Sequence, residues 1–126
     1  MLGMMRMIVR HLSGARATEV DVVTIGAHRE LILGRALSAA VRFDARRDGA
    51  VGRQHARISC DEQLPTRFSL VDLGSRNGTY VNGLRVAEAV LLQRGDVVRL
   101  GASGPEIQLD WEMQSPPSAL DQRAEL

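Results

Sequence analysis

Two Asn-Gly dipeptides, Asn77-Gly78 and Asn82-Gly83, stand five residues apart in the stretch DLGSRNGTYVNG at residues 72–83. Asn-Gly is a strong turn signal, because both central positions of a type I′ turn need a positive φ, which asparagine tolerates and glycine takes freely. Asn82-Gly83 lies between Thr79-Tyr80-Val81 and Leu84-Arg85-Val86, two short β-prone runs, and predicts a two-residue hairpin. Asn77-Gly78 follows Gly74-Ser75-Arg76, a polar loop far richer in donors and acceptors than a plain hairpin needs. A loop of that kind, held between rigid strands, is where function is to be sought.

The same punctuation recurs along the chain. Residues 7–12 and 20–25 are β-branched-rich runs separated by Ser13-Gly14-Ala15-Arg16, and predict two strands joined by a turn. Residues 26–29 break the pattern and residues 30–33 resume it; residues 36–40 are too short to stand as a helix and read as a loop. Val41-Arg42-Phe43 alternates in, out, in, and residues 44–51 are loop. After His55, Ala56, Ile58 and Cys60 share one face of the next strand, with Arg57 and Ser59 on the other. A turn with Pro65 precedes Phe68 and Leu70, residues 87–94 read as a connection carrying Leu91 and Leu92, and Gly95-Asp96 turns into a strand with Val98 and Leu100. Ile107, Leu109 and Trp111 point inward from a last strand.

Many short strands without a long helical period predict an all-β fold, an antiparallel β-sandwich with fewer than about a tenth of its residues helical. Its core is expected at Leu33, Val41, Phe43, Ala56, Ile58, Phe68, Leu70, Val81, Val98, Leu100, Leu109 and Trp111. Residues 1–19 are expected as an N-terminal strand or extension packing on a domain at residues 20–113. Residues 114–126, with Ser115-Pro116-Pro117-Ser118, are expected as a disordered tail or linker stub.

Composition narrows the function. With 126 residues the chain is about one domain. A net charge of +1 and only four aromatic residues leave neither the field nor the stacking platforms of an oligonucleotide-binding barrel, so no nucleic-acid partner is expected. Cys60 is the single cysteine, which excludes an internal disulfide and points to a reducing compartment, hence a cytoplasmic location. No histidine or basic cluster adjoins it, so it reads as a buried structural thiol. Arg6 and Arg10 interrupt the N-terminal apolar run, unlike a signal peptide, and no run approaches the roughly 20 apolar residues of a membrane helix; no membrane partner is expected. No nucleophile, base and acid can be assembled, and His55 has no companion ligands at metal spacing. The reading is of a monomer that is no enzyme, with no metal and no cofactor.

Four separated pieces carry more than any one of them: Gly34-Arg35; Gly52-Arg53-Gln54-His55-Ala56; Gly74-Ser75-Arg76-Asn77-Gly78-Thr79 with Asn82-Gly83; and Leu92-Gln93-Arg94-Gly95-Asp96 with Gly101. In order and spacing they resemble the forkhead-associated (FHA) domain over residues 20–111. The resemblance implies a sandwich of about eleven antiparallel strands that is not catalytic and binds phosphothreonine peptides through loops at one end. It implies phosphopeptide contacts at Arg35, Gly52, Arg53, Ser75, Arg76 and Asn77, and structural support from Gly34, His55, Gly78, Thr79, Asn82 and Gly83.

Those residue types suit the task. A phosphothreonine carries close to two negative charges and three strong acceptor oxygens, so it needs a forked cation and a ring of donors on stiff loops. Arginine matches phosphate geometry better than lysine, and a carboxamide such as that of Asn77 can donate to and accept from a peptide backbone at once. One position departs from the family: where a serine usually stands three residues before the histidine, this chain has Gly52. The hydroxyl is gone while the backbone N–H is expected to remain. One lost charge-assisted hydrogen bond costs about 1.5–3 kcal/mol. Arg53, or Arg46 and Arg47, could replace it. Two functions therefore stay open: a phosphothreonine-dependent signalling adaptor module, or the same sandwich used for phosphorylation-independent protein contact.

Overall fold

Alternation of apolar and polar side chains builds eleven strands in the computed structural model, which describes residues 4–26, 29–61, 63–64 and 66–114, of Met4 and Gln114 the backbone alone. They are β1 (Met4–His11), β2 (Val20–Thr24), β3 (Glu30–Gly34), β4 (Val41–Arg42), β5 (Ala56–Cys60), β6 (Phe68–Asp72), β7 (Thr79–Val81), β8 (Leu84–Arg85), β9 (Val90–Leu91), β10 (Val97–Leu100) and β11 (Glu106–Gln114). None of the described residues is helical. Of the tail expected at residues 114–126, Gln114 instead ends β11, and residues 115–126 lie outside the described residues, as does Pro65 of the expected turn.

The strands form two sheets, β2-β1-β11-β10-β7-β8 and β4-β3-β5-β6-β9. Every pairing is antiparallel except β3 with β4, which is parallel. The N-terminal strand is interior to the six-stranded sheet: β1 runs between β2 and β11, in register from Met4↔Gln114 to His11↔Ile107. Asn82 (φ 50°) and Gly83 (φ 84°) make the β7–β8 turn with both central residues left-handed, as a type I′ turn requires.

All twelve positions expected in the core are buried, joined by Met5, Met7, Val9, Leu31, Val51, Val86, Leu92 and Ile107. Phe68 of one sheet meets Trp111 of the other with ring centroids 4.9 Å apart, a tilted pair that locks the two layers face to face. Each such large apolar side chain contributes about 1.5–3 kcal/mol by leaving water. Two readings change. Residues 87–94 are not a bare connection, because β9 within them pairs with the edge of β6, turning Leu92 in and Leu91 out. Cys60 is half-buried, since β5 ends there.

Register decides where the site can be. Leu33 pairs with Ala56, Ala56 with Asp72, and Leu100 with Thr79. The end of β3, the start of β5, the end of β6, the start of β7 and the end of β10 therefore meet at one end of the sandwich. Gly101 N–H closes that end by donating to Gly78 O at 2.8 Å.

Candidate functional site

Arg35 follows the last residue of β3, and its half-buried side chain is held by backbone alone. Its Nε donates to Val51 O, and its Nη1 lies 3.5 Å from Ala45 O. A guanidinium has five N–H donors, so these bonds fix its plane while most donors stay open. No carboxylate among the described residues pairs with it.

The approach of the next loop explains the glycine before it. Arg35 N–H donates to Gly52 O at 3.0 Å and Ala36 N–H to Arg53 O at 3.1 Å, which draws residues 52–53 across β3. A Cβ on Gly34 would stand 2.0 Å from Arg53 O. Only glycine lets that loop lie beside Arg35.

His55 is fully buried and joins two loops. Its Nδ1 accepts from Gly52 N–H at 2.9 Å, which leaves Nε2 to carry the proton and donate to Gly78 O, also at 2.9 Å. Burial pushes its pKa below the ordinary value, despite Gly78 O and the Asp72 carboxylate at 4.0 Å, so the ring is neutral. This corrects one expectation. The Gly52 N–H is not free for a ligand, because a buried neutral imidazole needs a donor to its Nδ1. The open backbone donors in this loop are those of Arg53 and Gln54, which bond nothing among the described residues. Both side chains are exposed.

The second loop is organised by Asp72. Its carboxylate accepts from Ser75 Oγ at 2.5 Å, Ser75 N–H at 2.9 Å and Thr79 Oγ1 at 2.7 Å. Partial burial works against that charge, but these bonds outweigh it and hold the carboxyl below its usual range. The Ser75 hydroxyl also accepts from Gly78 N–H at 2.9 Å. Ser75, expected to meet the peptide, thus has its hydroxyl committed inside the loop, where the first orphan donors of the turn need it. Thr79 is buried. Gly78 (φ 80°) turns the chain, and the Arg85 guanidinium lies over it, about where a Cβ would need room.

Asn77 is exposed and reaches the first loop, its Nδ2 donating to Ala50 O at 2.9 Å. Its Oδ1 and second amide hydrogen remain open. Arg76 beside it is exposed and unpaired by carboxylate among the described residues. Arg35, Arg53, Arg76 and Asn77 are thus brought to one end with Gly34, Gly52, His55, Ser75, Gly78 and Thr79. Asn82 and Gly83 are not. They follow β7 where Asn77 and Gly78 precede it, and Asn82 bonds Asp96 and Val97.

Arg6, Arg10, Arg16, Arg57, Arg94 and Arg99 lie within 4 Å of carboxylates. Arg35, Arg42, Arg46, Arg47, Arg53 and Arg76, on loops or strand ends near β3, β5 and β7, have none among the described residues, and neither do Arg67 and Arg85. Arg42 escaped the sequence reading, although alternation turned it outward beside Phe43; which cations find carboxylates is a tertiary fact. Among the described residues no cluster of His, Cys, Asp and Glu could hold a metal ion.

Two loops braced at one end of a β-sandwich, with unpaired cations and open amide donors among the described residues, define the candidate site. The FHA domain model matches residues 31–101, and the chain belongs to the FHA domain family, whose members are interaction modules. FhaA of Mycobacterium tuberculosis (strain ATCC 25618 / H37Rv), an FHA domain-containing protein, is 43% identical over 72 residues, 57% of this chain and 12% of its own length. Vacuolar protein sorting-associated protein 64 of Saccharomyces cerevisiae (strain ATCC 204508 / S288c) is 38% identical over 79 residues, 60% of this chain and 12% of its own length. The chain therefore spans about an eighth of either relative. A solved structure from work on phosphothreonine-dependent FHA domain interactions is 30% identical with a TM-score of 0.65, covering 89% of this chain and 99% of that one.

Proposed function

We propose that this chain is a phosphothreonine-dependent protein-interaction module in which Arg35 takes the phosphate. The observation that carries the reading is the half-buried Arg35 guanidinium, oriented by Val51 O and Ala45 O and left without a carboxylate partner among the described residues. A cation fixed in place yet not neutralised is ready for an anion without reorganisation. In this reading the Arg53 and Gln54 N–H groups supply phosphate donors, the Arg53 side chain adds charge, and Asn77 uses its open carboxamide positions on the peptide backbone. The module is monomeric and cytoplasmic, acts on a phosphorylated protein, uses no cofactor, and needs neither nucleic acid nor membrane.

A second reading, phosphorylation-independent protein contact, is favoured by one position. Gly52 lacks a hydroxyl and its N–H is spent on His55. Titration with a degenerate phosphothreonine peptide library beside its unphosphorylated copy separates the two. Selective binding of the phosphorylated library supports the first; equal binding of both supports the second.

A further inference from the structure

Beside Arg35 lies a second basic feature that the phosphothreonine site does not use. An open hollow of about 450 Å³ is lined by Arg16, Arg42, Phe43, Asp44, Ala45 and Arg46. We infer that this hollow takes a second anionic group, a carboxylate or another phosphate, carried by the same peptide segment whose phosphothreonine is held at Arg35. The inference rests on the phosphothreonine reading and adds to it a class of ligand: segments with a second negative charge near the modified threonine.

The charges lining the hollow are unequal in availability. Arg16 forms a wall, since its fork is closed on Asp21 at 2.7 and 2.6 Å and its Nη1 also donates to Arg42 O at 3.0 Å. Asp44 is the one carboxylate present, and its Oδ1 is committed to the Arg46 and Arg47 N–H groups at 2.9 and 2.7 Å. Arg42 and Arg46 are exposed and have no carboxylate partner among the described residues. Arg42 uses only Nε, on Arg35 O at 3.3 Å, so both its terminal nitrogens are open. With Arg16 closed on Asp21, Arg42 and Arg46 outnumber Asp44 in the hollow, which leaves net positive charge there for an anion. All sixteen basic residues of the chain are arginines, so each cation here is a planar fork suited to carboxylate or phosphate.

The hollow also touches the first site. Ala45 lines it, and Ala45 O is the acceptor 3.5 Å from Arg35 Nη1. A phosphate seated on Arg35 therefore lies at the rim, and a second anion on the same segment binds as an intramolecular event at high effective concentration. Exposed pairs are individually weak, so the gain expected is about fivefold to tenfold.

The test is fluorescence-anisotropy titration of the full chain at physiological salt with one phosphothreonine peptide in four forms: alanine-flanked, aspartate-scanned on each side, carrying a second phosphothreonine, and unphosphorylated but aspartate-bearing. Wild type, Arg46→Ala and Arg42→Ala/Arg46→Ala are compared, the single variant guarding against disturbance of the Arg42–Arg35 bond. The expected result is that a second anion tightens binding fivefold to tenfold in wild type. In both variants the ratio of second-anion to alanine-flanked affinity falls towards one. Gain in the aspartate arm assigns a carboxylate as sufficient; gain only in the doubly phosphorylated arm assigns a second phosphate. No gain in either arm, or equal weakening of all forms by the variants, overturns the inference while leaving phosphothreonine binding standing. Equal affinity for phosphorylated and plain peptides overturns the phosphothreonine reading, and this inference with it.

Discussion

The Nε2 of His55 lies 2.9 Å from the carbonyl oxygen of Gly78, and that bond ties the loop entering β5 in one sheet to the loop entering β7 in the other. Because Nδ1 of the same ring holds Gly52 N–H, one neutral imidazole sets the distance between the two halves of the site. His55→Ala removes both bonds and leaves a cavity, and should cost about 3 kcal/mol by urea unfolding.

The same ring gives a pH dependence. Its pKa is lowered in the folded state by burial, so the unfolded chain binds the proton more tightly. Stability is therefore complete above the ordinary value of 6.5 and declines as pH falls below it. Asp72, also lowered, adds a further loss only as pH falls below 3.8. Urea midpoints taken from neutral to mildly acidic pH should fall in wild type and fall less steeply in His55→Ala.

Gly34→Ala should be far worse than an ordinary surface glycine change. The added methyl would sit 2.0 Å from Arg53 O, a backbone atom that cannot move without opening the loop that lies beside Arg35. A loss of about 2 kcal/mol or more is expected by chemical unfolding, together with loss of phosphopeptide binding.

Gly52→Ser is the reverse case. A Cβ there meets nothing closer than His55 Nδ1 at 3.7 Å, so the serine fits with a stability change within about 0.5 kcal/mol. If the natural site is short of one hydroxyl, calorimetric affinity for a phosphothreonine peptide should tighten about 10- to 100-fold. Unchanged affinity would mean that Arg53 or its neighbours already fill that place.

Much of this was legible in the sequence, for local reasons. Alternation in β5, β6, β10 and β11 fixed which faces point inward, because a strand has a period of two and one face must leave water. Asn82-Gly83 announced its turn because few other pairs take two left-handed positions. What stayed hidden was tertiary. Nothing local reveals that β1 lies inside a sheet, or that the short Val90-Leu91 run finds the free edge of β6. A hydroxyl has several possible partners, and only the folded loop shows Ser75 bonded to Asp72 and Gly78. The Gly52 N–H looked free until His55 closed on it.

The central claim is that Arg35 is an oriented, unneutralised cation waiting for a phosphate. The direct measurement is calorimetric titration of wild type and Arg35→Ala with one selected peptide in phosphothreonine and threonine forms. Circular dichroism melts confirm that the variant is folded, since a partly exposed arginine at the mouth of a cleft holds little of the core. The account predicts that wild type prefers the phosphorylated form by at least about tenfold, and that Arg35→Ala abolishes the preference while melting near the wild-type temperature. Equal wild-type affinity for the two forms, or a preference that survives in Arg35→Ala, would contradict it.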